Sequence, residues 1–492
     1  MPYNTLSCAR TGQRRRAVLC LLLAFGVSAC GASQTNVVKL DNAQNPKAKN
    51  AKLANKTAAP QDTPPEEPPA DVLTAPTQPN APAPGNAAPA NAKAPSELWR
   101  AEIGQTTYRS TIHVSQGQVI VNSNGEDLNA KRDRLDGVHV LNAATGSRLM
   151  QIVPPGGGEK DANGLAVTRQ GLFFGTDQEV FYAYDRQGKL VWSFEGKGDF
   201  EAAPAMADFN GDQILDVAVG EEDGDFYLLD GRTGKPIRVF KTETGDYGQT
   251  GYNAPAAVMD VNGDHIPEIF VPGRDNTMKA FDGRTGTQLW RIKRDSGLHG
   301  APILVDVNGD GTRELVFSEA YSEIMVVEPR SGKVVWSQLL THPTGGIEGL
   351  FSPLGWFDAD RCALTGTAWW GSRESFYCVG ASGVVWRHEE AKKNISSGAV
   401  VGDVDGKPGD EVIFGTESGK LVAVGQGGAV VWTVDLGAPI ECTPTLADVD
   451  GDGTTEVLVA AGDGFIRAFK TAGASPIAHP YHRGDSANTG QW

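Results

Sequence analysis

From Glu97 onward, short apolar runs alternate with polar, glycine-bearing turns, and one strand–turn–strand unit keeps returning. The turn glycines are Gly146, Gly188, Gly234, Gly286, Gly332, Gly383, Gly428 and Gly473, spaced 42 to 52 residues apart. That period suits a blade of four short strands. Eight turns over residues 97–492 predict an all-β, eight-bladed propeller, or seven blades if one irregular unit is misread. The strand after the turn often carries tryptophan, as in Leu190-Val191-Trp192, Gln288-Leu289-Trp290, Val334-Val335-Trp336, Val384-Val385-Trp386 and Val430-Val431-Trp432. No such strand follows Gly473, whereas Glu97-Leu98-Trp99-Arg100 offers one at the other end of the domain. An N-terminal strand that completes the last blade would close the ring and remove its open edges.

Composition changes the picture ahead of residue 97. Residues 31–96 contain no Phe, Trp or Tyr and hold 12 of the 29 prolines, so they cannot bury enough apolar surface to offset ordering entropy. Before them, Arg10, Arg14, Arg15 and Arg16 precede a short apolar run from Ala17 to Val27, the layout of an export signal. The run is too short for a transmembrane helix, which needs about 20 apolar residues. Val27-Ser28-Ala29-Cys30-Gly31 resembles the lipobox of bacterial lipoproteins. The resemblance implies cleavage before Cys30, diacylation of its thiol and a membrane held through the lipid. In a two-membrane bacterium, Gly31 in place of an inner-membrane retention Asp points to the outer membrane. The expected organisation is a signal peptide over 1–29, a lipidated Cys30 and disordered linker over 30–96, and the propeller over 97–492. The formal charge of −16 argues against a nucleic-acid groove, which needs clustered positive charge.

Ala280-Phe281-Asp282-Gly283-Arg284-Thr285-Gly286-Thr287-Gln288-Leu289-Trp290 carries the A-x-D-x-x-T-G-x-x-x-W pattern, and residues 183–192 and 326–336 follow it with small departures. The pattern resembles that of quinoprotein-like propellers, which implies that each Trp docks on a turn of the neighbouring blade. A second pattern puts oxygen ligands at positions 1, 3, 5, 7 and 9 of a loop. It reads Asp208, Asn210, Asp212, Ile214, Asp216; then Asp260, Asn262, Asp264, Ile266, Glu268. It returns as Asp306, Asn308, Asp310, Thr312, Glu314 and as Asp448, Asp450, Asp452, Thr454, Glu456. These loops resemble those of integrin-type (FG-GAP) propellers, which implies about four structural Ca²⁺ ions. A fifth loop, Asp403-x-Asp405-x-Lys407-x-Gly409-x-Glu411, has a lysine at the central ligand position, and no metal is expected there. Asp358 and Asp360 read as the structural remnant of another loop.

Counting seven residues back from the first Asp of each loop gives Glu201, Asn253, His299, Ser396 and Glu441, all polar and all just ahead of an apolar strand. They could ring a ligand mouth at the central channel. Cys362 and Cys378 fall in one irregular unit and form a possible disulfide, which leaves Cys442 as a buried apolar residue. Arg483-Gly484-Asp485-Ser486, with Thr489 and Gly490 after it, resembles an R-G-D-x-x-x-T-G segment at the chain ends of quinoprotein-like propellers. Neither an adjacent cysteine pair, nor G-x-S-x-G, nor H-E-x-x-H is present. The expectation is therefore a module that is not an enzyme, without a quinone, binding a protein or polysaccharide partner in the cell envelope. The alternative is a periplasmic oxidoreductase or lyase that uses the channel mouth. In its anchor and blade number the chain resembles the propeller lipoproteins of the outer-membrane barrel-assembly machine, and it departs from them in its long linker and cation loops.

Overall fold

The computed structural model describes residues 93–492, apart from 129–132, 157–159, 246–247, 322, 342–348, 368–373, 391–393, 475–484, 486 and 492. Cys30, the expected signal peptide and most of the expected linker thus lie outside the described residues. The described chain folds into eight four-stranded antiparallel sheets, numbered here as blades 1 to 8 in chain order. The first strands of the blades are Ile112–Ser115, Leu165–Val167, Ala205–Ala207, Ala257–Met259, Ile303–Val305, Gly355–Phe357, Ala399–Gly402 and Thr445–Ala447. First strands of neighbouring blades meet, as in blades 3, 4 and 5 and again in blades 6, 7, 8 and 1, and wall the channel.

Burial falls off from the channel outward. First and second strands are covered on both faces by adjacent blades, so Asp216–Gly220, Glu268–Pro272 and Glu314–Ser318 are buried throughout. The fourth strands alternate, as in Leu190–Glu195, where Trp192 is covered while Leu190 and Val191 face water. Trp192 packs on Gly234 of the next blade and donates its indole N–H to the Gly231 carbonyl at 2.9 Å. Trp290 does the same to Gly332 and the Pro329 carbonyl, and Trp99 to Gly146 and the Ala143 carbonyl. A Cβ on Gly234 would come within 2.5 Å of the Trp192 ring, and its φ of +69° favours glycine a second time. Arg238 takes the tryptophan's place against Gly286.

Eight blades are expected and eight are found, with the ring closed as the sequence implies. Ser96–Glu102 pairs antiparallel with Phe465–Ala474 as the outer strand of blade 8. Gly473 is a correction: it is no turn. It sits inside the ten-residue strand Phe465–Ala474, where a Cβ would fall 1.8 Å from the Asp403 carbonyl. Its glycine serves close approach to blade 7 rather than chain reversal. Cys362 and Cys378 are joined by a disulfide between the second and third strands of blade 6, with Cα atoms 5.3 Å apart. In the same blade Asp360 accepts the Trp386 indole N–H at 2.7 Å and the Gly427 N–H at 2.8 Å, so this acid holds blade 7.

Candidate functional site

The order of strands sorts the loops onto two faces. Segments leading into first strands share a face with the connections between second and third strands; the carboxylate loops lie on the other. On the first of these faces, Glu201, Asn253, His299 and Glu441 each stand four residues ahead of a first strand, and Ser396 stands three ahead. Tyr108, Asp161 and Phe351 hold the same position, four residues ahead, in blades 1, 2 and 6. The ruler used on the sequence was the carboxylate loop. It missed blade 1, which turns instead through Gln116 and Gly117, both at positive φ.

The strongest pairing at this mouth spans two blades. Arg109, ahead of blade 1, reaches Glu201, ahead of blade 3, at 2.5 Å. Glu201 is 6% exposed, and its carboxyl hydrogen-bonds that of Glu222 from the second connection of blade 3. Burial, together with Glu222 and Asp177, pushes the Glu201 carboxyl up to about 8 against the pull of Arg109. Burial also raises Asp199 to about 7, with Asp177 and Glu222 adding repulsion. Arg274 of blade 4 meets Glu222 at 3.1 Å and Asp223 at 3.2 Å. The guanidinium of Arg109 lies 5.1 Å over the Tyr108 ring, while one buried atom of that group, Nε, has no partner.

The other ring residues fall into two groups. Asn253 Nδ2 donates to His299 Nδ1 at 3.3 Å, and the imidazole stacks on Phe351 with centroids 4.8 Å apart, so blades 4, 5 and 6 are linked. Burial, with Arg274 nearby, holds His299 down at about 4, neutral at pH 7. Glu441 is raised by burial and by Glu417, while the Tyr108 N–H it accepts opposes the shift; Ser396 Oγ donates to Glu417 at 3.3 Å. The five residues from the sequence thus share one mouth but not one cluster. With Glu201 and Asp199 raised toward their neutral forms, Glu222 and Asp177 face Arg109 and Arg274, a near balance that suits a neutral polar ligand.

On the opposite face the carboxylate loops repeat one geometry. The first Asp accepts the N–H of the glycine three residues on: Asp208 from Gly211 at 2.6 Å, Asp260 from Gly263 at 2.6 Å, Asp306 from Gly309 at 2.5 Å and Asp448 from Gly451 at 2.7 Å. The last acid is buried at the start of the second strand and accepts the N–H of the loop's second residue. Asp216 does so from Phe209 at 3.0 Å and Glu456 from Val449 at 2.9 Å. Burial and the neighbouring carboxylates raise Asp216 to about 6 and raise Glu268, Glu314 and Glu456 as well. Ligand oxygens of Asp448, Asp450 and Glu456 lie within 4.8 Å of one another, as do those of Asp403, Asp405 and Glu411. Among the described residues the Asp448 loop alone of the four predicted ones gathers three acids in this way, and the fifth loop, expected to hold no metal, does the same; both donor sets fit a hard cation. Basic side chains meet these loops too, a feature the sequence reading assigned to the fifth alone. Lys407 contacts Asp405 at 2.6 Å, Arg284 contacts Asp264 at 2.7 Å, and Lys470 contacts both Asp450 and Asp452.

Known proteins resemble this chain in two ways. The quinohemoprotein alcohol dehydrogenase of Comamonas testosteroni overlays with a TM-score of 0.57 at 14% identity, covering 77% of each chain. Sqt1 of Saccharomyces cerevisiae does so with 0.57 at 12% identity, over 77% of this chain and 100% of its own. At such identity the likeness is one of fold. By sequence, the lupanine 17-hydroxylase [cytochrome c] of a Pseudomonas species is 32% identical over 122 residues, which cover 21% of this chain and 18% of the hydroxylase. That match corrects the expectation that the chain is not an enzyme, because enzymes stand among its relatives. Missing cysteine and serine motifs excluded particular chemistries, whereas a propeller assembles its site from distant loops that no local motif reports. A family model described as outer membrane protein assembly factor BamB matches residues 88–239 and 216–351, more than half of the sequence. The chain belongs to this family of PQQ-like repeat propellers.

Proposed function

We propose that this protein is a cell-envelope propeller that binds a protein partner through its channel-mouth face. The observation that carries the reading is the mouth itself: Arg109, Glu201, Glu222 and Arg274 come from three different blades into one buried, charged cluster. The family description, an outer membrane assembly factor, supports a protein partner in the envelope over a polysaccharide. Lipidation of Cys30 would fix the propeller to the membrane. Four Ca²⁺ ions in the carboxylate loops would staple the opposite face. The test is cross-linking in native envelopes followed by mass spectrometry. Arg109→Ala with Glu201→Gln should abolish capture of the partner, and Asp212→Ala should leave it intact. Equal capture by all variants would refute the mouth as the binding face.

A second reading is an enzyme, an oxidoreductase or lyase, working at the same mouth. The stretch shared with lupanine 17-hydroxylase favours it, and Glu201, which keeps its proton to about pH 8, would supply the acid–base group. A turnover that Glu201→Gln removes, on any amine or alcohol panel, would establish this reading; its absence across the panel would count against it.

A further inference from the structure

The last described residues of the chain do not lie on the outside of the ring. Residues 487–491 run along the channel wall against the first strands of consecutive blades. The Met206 N–H donates to the Ala487 carbonyl at 2.9 Å, the Val258 N–H to the Thr489 carbonyl at 2.9 Å, and the Leu304 N–H to the Gly490 carbonyl at 2.7 Å. Each donor is the middle residue of a three-residue first strand, in blades 3, 4 and 5. In an antiparallel ladder alternate residues turn their N–H toward the partner strand and away from it. The middle residue therefore points its N–H into the channel, and blades 3, 4 and 5 present three such donors in succession. A row of this kind is a template for an extended chain.

Side chains give the contact its specificity. Asn488 Nδ2 donates to the Leu165 carbonyl of blade 2 at 3.0 Å, and Gln491 Nε2 donates to the Val258 carbonyl at 3.0 Å. The segment is also shaped in advance. Asp485 accepts the N–H groups of Ala487 at 3.0 Å and Thr489 at 3.1 Å, and the Thr489 hydroxyl as well. Asn488, 1% exposed, and Gly490 hold positive φ of 56° and 75°, which turn the chain so that successive carbonyls meet successive blades.

We propose that this channel wall is a peptide-binding site whose resident ligand is the chain's own carboxyl-terminal segment, recognised through the pattern Asp-x-x-Asn-Thr-Gly-Gln at 485–491. The ring does not need the segment for closure, because Ser96–Glu102 already completes blade 8. Nor does the segment join a named strand beyond a single bridge between Leu304 and Gln491. It is held by its carbonyls and two amide side chains, with Gln491 also accepting from Arg313 at 3.1 Å and Ala487 packed on the apolar core.

The test keeps the full chain and cuts it after folding. A protease site placed between Ala474 and Asp485 separates the segment, and a labelled synthetic peptide of residues 485–492 is then added. Exchange of the peptide into the cut protein is expected, read as a saturable anisotropy rise that the uncut protein does not show. Peptides with Asn488→Ala or Gly490→Ala should bind roughly tenfold more weakly, the loss of about one buried hydrogen bond or of the left-handed turn. A cut protein that keeps its cooperative melt but never exchanges the peptide would overturn the proposal. So would a cut protein that unfolds, since the segment would then be part of the fold and not its ligand.

Discussion

The two faces of the ring are built on opposite plans. On the carboxylate face one loop recurs with the same hydrogen bonds, from Asp208–Gly211 to Asp448–Gly451, and the last acid is buried each time. On the mouth face the matching position is Tyr108, Asp161, Glu201, Asn253, His299, Phe351 or Glu441, and no two neighbouring blades agree. Repetition suits a device that each blade needs for itself, because blades of a repeat protein are stabilised largely one by one and by their neighbours. Variation suits recognition, which needs different groups at fixed places. The fold holds its shape with one face and can change its ligand with the other.

Four experiments would break or sharpen that contrast, the largest effect first. Deleting residues 96–102 should destroy both faces together, since the outer edge of blade 8 opens; loss of the cooperative melt, of the order of the whole ~5–15 kcal/mol of a domain, is expected by calorimetry. A soluble monomer with an unchanged melt would show that the ring is not the common support. Next, blade 6 lacks an intact carboxylate loop and has the Cys362–Cys378 bond. Replacing both cysteines with Ala should cost about 3 kcal/mol in chemical denaturation, the entropy of a loop of 16 residues. Third, adding Ca²⁺ at a hundredfold excess over Kd should stabilise by about 2.7 kcal/mol per site, and chelation should reverse it. Asp212→Ala should remove one site by calorimetric titration, while Glu201→Gln should leave every site in place. A mouth variant that lost calcium would join the two faces.

The smallest effect is one of pH. The Glu201 carboxyl keeps its proton to about 8 in the folded state, whereas an unfolded glutamate releases it near 4.5. Folding therefore binds a proton between these values, and stability should fall as pH rises through that window. Glu201→Gln should flatten the fall by on the order of 1 kcal/mol, since Arg109 offsets part of the shift. His299, held at about 4, works the other way: stability should rise with pH between about 4 and 6.5. An unchanged slope in Glu201→Gln would show that the mouth carries no buried charge of consequence.

Much of the ring was legible because its parts are local. Trp192 on Gly234 and Trp290 on Gly332 are each signalled by a turn and a strand a fixed distance apart in sequence. The outer strand of blade 8 was readable as well, because the missing partner of the last unit stood at the other end of the domain. Gly473 was misread, since a glycine needed for close approach to Asp403 looks the same in sequence as one needed for a turn. At the mouth, Glu201 was found by counting, yet Arg109 and Glu222 were not. They reach it from blade 1 and from a connection with no repeat of its own, and a contact across two blades leaves no spacing to count. The channel strip at 487–491 was hidden for the same reason: its partners are backbone N–H groups, which carry no residue signature.

The seam of blade 8 also sets an order of events. Ser96 pairs with Lys470, so the first strand of the propeller to be synthesised waits for the last before it finds its place. Blades 1 to 7 can form on the emerging chain, but the ring cannot close until almost all of it has been made. Pairing over such a separation is slow, and the waiting edges are exposed meanwhile. The same strand is the first described element of the chain. A pull on the chain ahead of Ser96 would therefore load the seam first, and the ring would open under force at the joint it completed last.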